Sequence, residues 1–222
     1  GILKHASNVT GCAIEIEKIF IEAGFPRDVF RTIVAPSKLI APVIADKNIR
    51  AVTLTGSVAA GRAVASAAGN ALKKTVLELG GSDAYLILED AELEIAAEIC
   101  VTSRLINGGQ SCIAAKRFII VESIYSKFEE LFIEKMKTKK MGDPFDEKNH
   151  IGPQASKTLR DELHQQVLDS VNKGAKLLLG GTIPDTPDAF YPPTVLANVK
   201  RGMPAYEDEL FGPVASLIKV KN

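Results

Sequence analysis

The chain has 222 residues, 46% of them hydrophobic and 24% charged, the mix of an ordinary globular protein with a sizeable core in one or two domains. Lys+Arg and Asp+Glu balance at 27 each, which removes the electrostatic footprint of a nucleic-acid or anionic-membrane binder. No apolar run approaches a membrane span, and Gly1-Ile-Leu-Lys4 lacks the long apolar core of a signal peptide. Three cysteines without CxxC spacing fit a reducing, cytoplasmic setting better than a disulfide framework. His5, His150 and His164 are scattered, so no metal is expected.

Taken in order, Gly1–Lys4 reads as a strand end. Asn8–Ala23 reads as a helix, with Val9, Cys12, Ala13, Ile16, Ile19 and Phe20 at helical period and Gly24 and Pro26 to stop it. Val29–Val34 is strand-like and Lys38–Ala45 a short helix. Ala51-Val-Thr-Leu-Thr55 is a β-branched strand that Gly56-Ser57 turns into a helix over Ala59–Leu72. Thr75–Leu79 is the next strand. This alternation predicts a doubly wound α/β parallel sheet. Gly80-Gly81 is the expected boundary between residues 1–79 and a second α/β domain over residues 80–222.

In that second stretch Ala84–Leu88 reads as a strand and Leu93–Leu105 as a helix delivering the Cys112 loop. Ala115–Val121 is a strand. Ile124–Lys137 is an amphipathic helix with Tyr125, Phe128, Leu131, Phe132 and Met136 inward, and the basic run Lys135–Lys140 is expected to be its solvated end. Leu159–Lys173 is a second amphipathic helix, followed by strands at Ala175–Leu179, Tyr191–Leu196 and Val214–Val220. Thr182–Ala189 is a Pro/Asp-rich loop.

Two stretches carry chemistry. Ile106-Asn-Gly-Gly-Gln-Ser-Cys112-Ile113 places a thiol in a short Gly/Asn/Gln loop. A thiol attacks carbonyls as the thiolate, and with a free pKa of roughly 8.5 it gains from a positive or dipolar setting. The glycines let backbone N–H groups approach a reacting oxygen. Thr75-Val-Leu-Glu-Leu-Gly-Gly81 offers the Glu78 carboxylate as a base, with glycines that leave it room to swing. Taken alone, Cys112 reads more readily as a small buried apolar residue, and Glu78 as a structural carboxylate. Thr55-Gly56-Ser57 joins a strand to a helix, the arrangement that binds phosphate through backbone N–H groups and the helix dipole. It lacks the full G-x-G-x-x-G fingerprint, and an ordinary turn with a Ser N-cap reads equally well. Cys12 and Cys100 lie on helical apolar faces and are assigned to the core.

Asn107-x-Gly-Gln-x-Cys112 and Leu77-Glu-Leu-Gly-Gly81 resemble the two signatures of the aldehyde dehydrogenase superfamily. Thr55-Gly-Ser-x-x-x-Gly61 resembles its cofactor turn, and Glu209-Leu-Phe-Gly-Pro213 its nicotinamide-ribose clamp. Leu3-Lys-His-Ala-Ser-Asn-Val-Thr-Gly-Cys12 is similar to the succinate-semialdehyde dehydrogenase-like branch. The resemblance runs over the whole chain. It implies oxidation of a small aldehyde, succinate semialdehyde among the candidates, to the acid with NADP or NAD. Cys112 would be the nucleophile, Glu78 the base that activates the hydrolytic water, and Asn107 a brace for the loop. Cofactor contacts would come from Lys4, Ser7, Gly56, Ser57, Leu79, Glu209 and Phe211. Lys4 falls beside the adenosine ribose. Ser7 stands where NAD-preferring members often carry a Glu, so the pair favours or tolerates a 2′-phosphate. The resemblance also implies a homo-oligomer in the full-length protein.

The sequence departs from the family in three places. The Trp/Pro-rich motif carrying the family's oxyanion Asn is absent, as is the C-terminal segment with later substrate and oligomer contacts. The expectation is therefore an internal fragment of a longer enzyme, weak or inactive alone, with a partial cofactor domain whose exposed sheet edge needs covering. Ile106 stands where succinate-semialdehyde enzymes commonly carry an Arg for the distal carboxylate, and Arg104 lies two positions before it. A CoA-acylating relative and a non-catalytic cofactor-binding fragment remain as alternatives. The first is disfavoured by the presence of Glu78.

Overall fold

The structure, a computed structural model, describes residues 1–221. The chain divides into two compact units, Gly1–Leu79 and Gly80–Asn222, each described by itself.

In the first unit, β1 (Ile2–Lys4) and β2 (Arg31–Ile33) pair in parallel, Ile2 opposite Arg31, and α1 (Thr10–Glu22) is the crossover between them. Parallel strands need such a crossover because a tight turn cannot return the chain to the same end. α1 is fastened by polar bonds as well as by Phe20, whose ring stacks on Phe30 at 4.4 Å. The Thr32 N–H donates to the Glu17 carboxylate at 2.6 Å and the Thr32 hydroxyl to the Ala13 carbonyl at 2.8 Å. Arg31 pairs with Glu17 at 3.3 Å. These ties turn Ala13 inward and leave Cys12, Ile16 and Ile19 exposed. The expectation that Cys12 is a core residue is therefore wrong; the helix turns Ala13, Glu17 and Phe20 inward instead.

A 3-10 turn at Ser37–Leu39 leads into α2 (Ile40–Ala45). Then β3 (Ala51–Gly56), α3 (Val58–Asn70) and β4 (Lys74–Leu79) form a βαβ unit, with β3 and β4 parallel and Gly56 opposite Leu79. A Cβ at Gly61 would run into the Leu79 side chain, so this glycine is what lets α3 lie close on β4. The two parallel pairs are separate two-stranded sheets.

The second unit holds a five-stranded sheet of β5 (Ala84–Ile87), β6 (Arg117–Val121), β7 (Lys176–Leu179), β8 (Thr194–Ala197) and β9 (Val214–Val220). The order is β5-β6-β9-β8-β7, parallel except for β7 against β8. The last strand thus fills the middle. Its successive residues serve opposite faces: Ala215 and Leu217 join one core cluster, Val214 and Ile218 the other. The first cluster takes α4 (Leu93–Leu105) and α5 (Glu122–Lys137) through Ala97, Val101, Phe128, Phe132 and Met136. The second takes α6 (Lys157–Asn172) and the short α7 (Pro204–Glu207) through Leu163, Val167 and Ala205. Helices on both faces of a mainly parallel sheet are the α/β architecture expected.

Two local differences have physical causes. β8 begins at Thr194, later than the expected Tyr191, because Pro192 and Pro193 carry no N–H for a ladder. The basic run Lys135–Lys140 at the end of α5 is not wholly solvated. Lys135 and Lys139 both reach Glu98 on α4, at 3.4 and 3.2 Å, and hold its carboxyl below the usual range. Among the described residues no helix is long and apolar enough to cross a membrane.

Phe132 is fully buried, its ring 5.0 Å from Phe118 and 5.8 Å from Phe128. Phe132→Ala is expected to cost about 3–5 kcal/mol, read as a lower urea midpoint at unchanged m-value.

Candidate active site

α4 ends at Leu105, and the chain turns through Ile106–Gly109 with Asn107 at φ 50° and Gly108 at φ 64°. Asn tolerates this left-handed conformation better than other side-chain-bearing residues. The Asn107 amide donates to the Gln110 carbonyl at 3.1 Å, so the residue braces the loop from inside. Gly109, at φ 79°, packs so tightly that a Cβ would run into the Gly212 carbonyl. Gln110 fastens the far side. Its amide oxygen accepts from the Ala155 N–H at 2.7 Å, and its amide nitrogen donates to Pro153 O at 3.2 Å. Held between these anchors, Cys112 is exposed, and Ile113 beside it is exposed as well.

Beneath the loop lie two buried cations. Lys116 is 1% exposed. Its ammonium donates to the carbonyls of Ser111 at 3.1 Å, Cys112 at 2.8 Å and Ala114 at 3.0 Å. It also stands 3.1 Å from Glu209 Oε1. Its three donors are taken by the carbonyls, so that oxygen is held by charge and makes no hydrogen bond. Arg104 is fully buried and donates to the Gly109 carbonyl at 2.8 Å. Burial pulls its guanidinium down to about 10, opposed by the nearby Glu209, so it stays cationic at neutral pH.

Glu209 therefore sits between two cations at the edge of a cleft of about 300 Å³, lined by Gln110, Leu163, Gln166, Glu209 and Phe211 among others. A Cβ at Gly80 would run into the Glu209 carboxylate, so only glycine admits the acid there. Phe211 is 42% exposed, a large apolar side chain left open at this cleft.

The remaining candidates lie in the first unit. Lys4 and Ser7 line a cleft of about 260 Å³ with His5, Thr10 and Ser37, at the C-terminal end of β1. The Lys4 ammonium donates to the Ser37 hydroxyl at 3.4 Å. Gly56 ends β3, and the Ser57 hydroxyl caps α3 by accepting from the Ala60 N–H at 3.3 Å. Its own O–H is left to donate elsewhere. Glu78 is exposed near the C-terminal end of β4, while Leu79 is half-buried against Gly61. All of these stand at the carboxyl ends of parallel strands, where open α/β sheets bind ligands.

The Aldehyde dehydrogenase family profile matches residues 1–222. The chain belongs to the aldehyde dehydrogenase family. It is 51% identical over 221 residues to a succinate semialdehyde dehydrogenase [NAD(P)+] of Escherichia coli (strain K12), covering 100% of this chain and 48% of that protein. It is 48% identical to an aldehyde dehydrogenase of Paenarthrobacter nicotinovorans, covering 100% and 48%. Among solved structures, succinic semialdehyde dehydrogenase from Streptococcus pyogenes in complex with NADP+ superposes with a TM-score of 0.96 at 38% identity, over 100% of this chain and 49% of that one. The chain spans about half the length of the curated relatives it matches.

Within this aldehyde dehydrogenase chain, the second unit brings the Cys112 loop and Glu209 together through Lys116, which the motifs did not point to. The available signal was a charge wedged between Ile113-Ala-Ala115 and the apolar strand Phe118-Ile-Ile-Val121; a lysine so placed must find partners or stay out of the fold. Arg104 is not free to grip a substrate carboxylate, being buried and bonded to Gly109. Cys100 is buried and its thiol is pushed up to about 12, so at pH 8 it stays protonated. Iodoacetamide at that pH is expected to label Cys12 and Cys112 but not Cys100 in the native chain, read by peptide mass spectrometry, with all three labelled in denaturant.

Proposed function

We propose that the protein oxidises a small aldehyde to its carboxylic acid with NADP or NAD through a thioester on Cys112. The observation that carries this reading is an exposed thiol at the tip of a loop braced from below, in a chain of this family. The Cys112 thiolate attacks the aldehyde carbon and a C–S bond forms. The carbonyl oxygen becomes an oxyanion, stabilised by the Cys112 backbone N–H. Bound NAD(P) supplies the hydride acceptor. Loss of hydride returns the C=O and leaves a thioester. Glu78 takes a proton from water, the water oxygen attacks the acyl carbon, and the C–S bond breaks with release of the thiolate.

The residues suit a dinucleotide. The Lys4 ammonium, with the Ser7 and Ser37 hydroxyls beside it, supplies charge and hydrogen bonds for a 2′-phosphate. The Gly56–Ser57 turn opens α3 with N–H groups for a phosphate. Glu209, paired by charge with Lys116 through Oε1 and partly exposed at the cleft, offers a carboxylate to ribose hydroxyls, and the open face of Phe211 suits a flat ring. NADP is thus favoured with NAD accepted. Succinate semialdehyde is the first substrate to test, on the strength of the relatives' names, although Ile106 offers no charge for a distal carboxylate. A homo-oligomer and a cytoplasmic setting belong to the same proposal, and three free cysteines support a reducing compartment.

Rapid mixing of the whole protein with NADP and aldehyde is expected to give a burst of about one equivalent of reduced cofactor. Cys112→Ala removes burst and turnover alike. Glu78→Gln keeps the burst while steady turnover falls roughly 10²- to 10⁴-fold. Turnover surviving in Cys112→Ala contradicts the assignment. Lys4→Ala is expected to raise KM for NADP roughly tenfold or more through loss of a charge-assisted bond, and KM for NAD far less.

A further inference from the structure

The nucleophile loop exposes a thiol, and it also has a direction. Among the described residues no peptide bond is cis, and in a trans peptide the C=O and the following N–H point opposite ways. The Ser111 and Cys112 carbonyls both converge on the Lys116 ammonium. The N–H groups that share those peptides, on Cys112 and Ile113, must therefore point away from Lys116. Among the described residues neither has a backbone acceptor. The outward N–H on Cys112, beside the thiol, is a donor available to a negative oxygen formed there.

We propose that Lys116 is a positioning residue: its buried ammonium turns the carbonyls of the nucleophile loop inward and so holds the Cys112 N–H outward for the oxygen of the attacked aldehyde. The proposal rests on the reading of Cys112 as nucleophile. An uncharged side chain of similar length cannot hold three carbonyls at 2.8–3.1 Å. Without that hold the Cys112–Ile113 peptide loses the partner of its carbonyl, and the Ser111–Cys112 peptide keeps only the 3.2 Å bond from the Ala114 N–H; a flip of either withdraws an N–H from the site. Lys116 touches neither substrate nor thiol in this role. Its effect is transmitted through the orientation of two peptide planes.

A merely structural lysine and a positioning lysine differ in what their loss changes. Alkylation of Cys112 by iodoacetamide needs access and a thiolate but develops no oxyanion, whereas the burst of aldehyde oxidation does. The test compares Lys116→Met, Lys116→Arg and Cys112→Ala in the whole protein with the parent. It reads the burst rate constant, the limiting alkylation rate of the Cys112 peptide at high pH, and the melting temperature. Lys116→Met is expected to slow the burst about 100-fold or more, the effect of losing one oxyanion donor, while the limiting alkylation rate stays close to the parent's. Lys116→Arg keeps the charge, but its planar fork cannot aim donors at three convergent carbonyls, so its burst is expected to fall between the two. A parent-like burst in folded Lys116→Met overturns the proposal, as does a parallel fall of burst and alkylation, which would mark a disordered loop. If Lys116→Met does not fold, a parent-like burst in Lys116→Arg overturns it instead. Turnover surviving in Cys112→Ala would defeat the underlying reading, whereas an inert Cys112→Ala beside a parent-like Lys116→Met defeats only the role of Lys116.

Discussion

A lysine ammonium taken out of water must be repaid with donors' partners and opposite charge, because an unpaired buried charge costs far more than one interaction returns. In the second unit Lys116 meets that demand with three loop carbonyls and the Glu209 carboxylate. The arrangement constrains everything around it. The loop must curl so that carbonyls from positions 111, 112 and 114 converge, which is why the turn before it runs through left-handed Asn107 and Gly108 and the tightly packed Gly109. Glu209 must approach from its own turn, which is why Gly80 can carry no side chain. Removing one partner of such a buried pair typically costs about 3–5 kcal/mol, so the cluster is as sensitive a point of the fold as its apolar core.

The sheet is what makes this convergence possible. Lys116 immediately precedes β6, and the turn that carries Glu209 leads into β9, its hydrogen-bonded neighbour. Two positions remote in sequence are thereby set side by side, and the parallel register fixes their separation. The first unit uses the same economy of design at the carboxyl ends of its own strands. There Lys4 and the Gly56–Ser57 turn present a cation and backbone N–H groups.

Much of this was legible in the residues. α4 reads directly because Ala97, Val101 and Leu105 recur at the spacing of one helix face, and all three are buried. The α/β class follows from strands alternating with helices, and the two family signatures are what single out Cys112 and Glu78 for the proposed roles. Other features were not readable for definite reasons. Hydrophobic period places Cys12 in the core, but the helix turns Ala13, Glu17 and Phe20 inward instead. The segment from Tyr191 looks β-like, but the missing N–H groups of two prolines delay the ladder to Thr194. That β9 enters between β6 and β8 depends on long-range pairing, which local pattern does not encode. Lys116 is not legible because a lone lysine reads as solvated until its neighbours in space are known.

The central claim is that Cys112 carries the acyl group between aldehyde and acid. The most direct measurement mixes the Glu78→Gln protein with aldehyde and NADP, quenches in acid within one turnover, and maps the covalent adduct by mass spectrometry. The account predicts one acyl group bound as a hydroxylamine-labile thioester on the peptide containing Cys112, and none on those containing Cys12 or Cys100. Reduced cofactor formed in the burst with no adduct on Cys112, or an adduct on another residue, would contradict it.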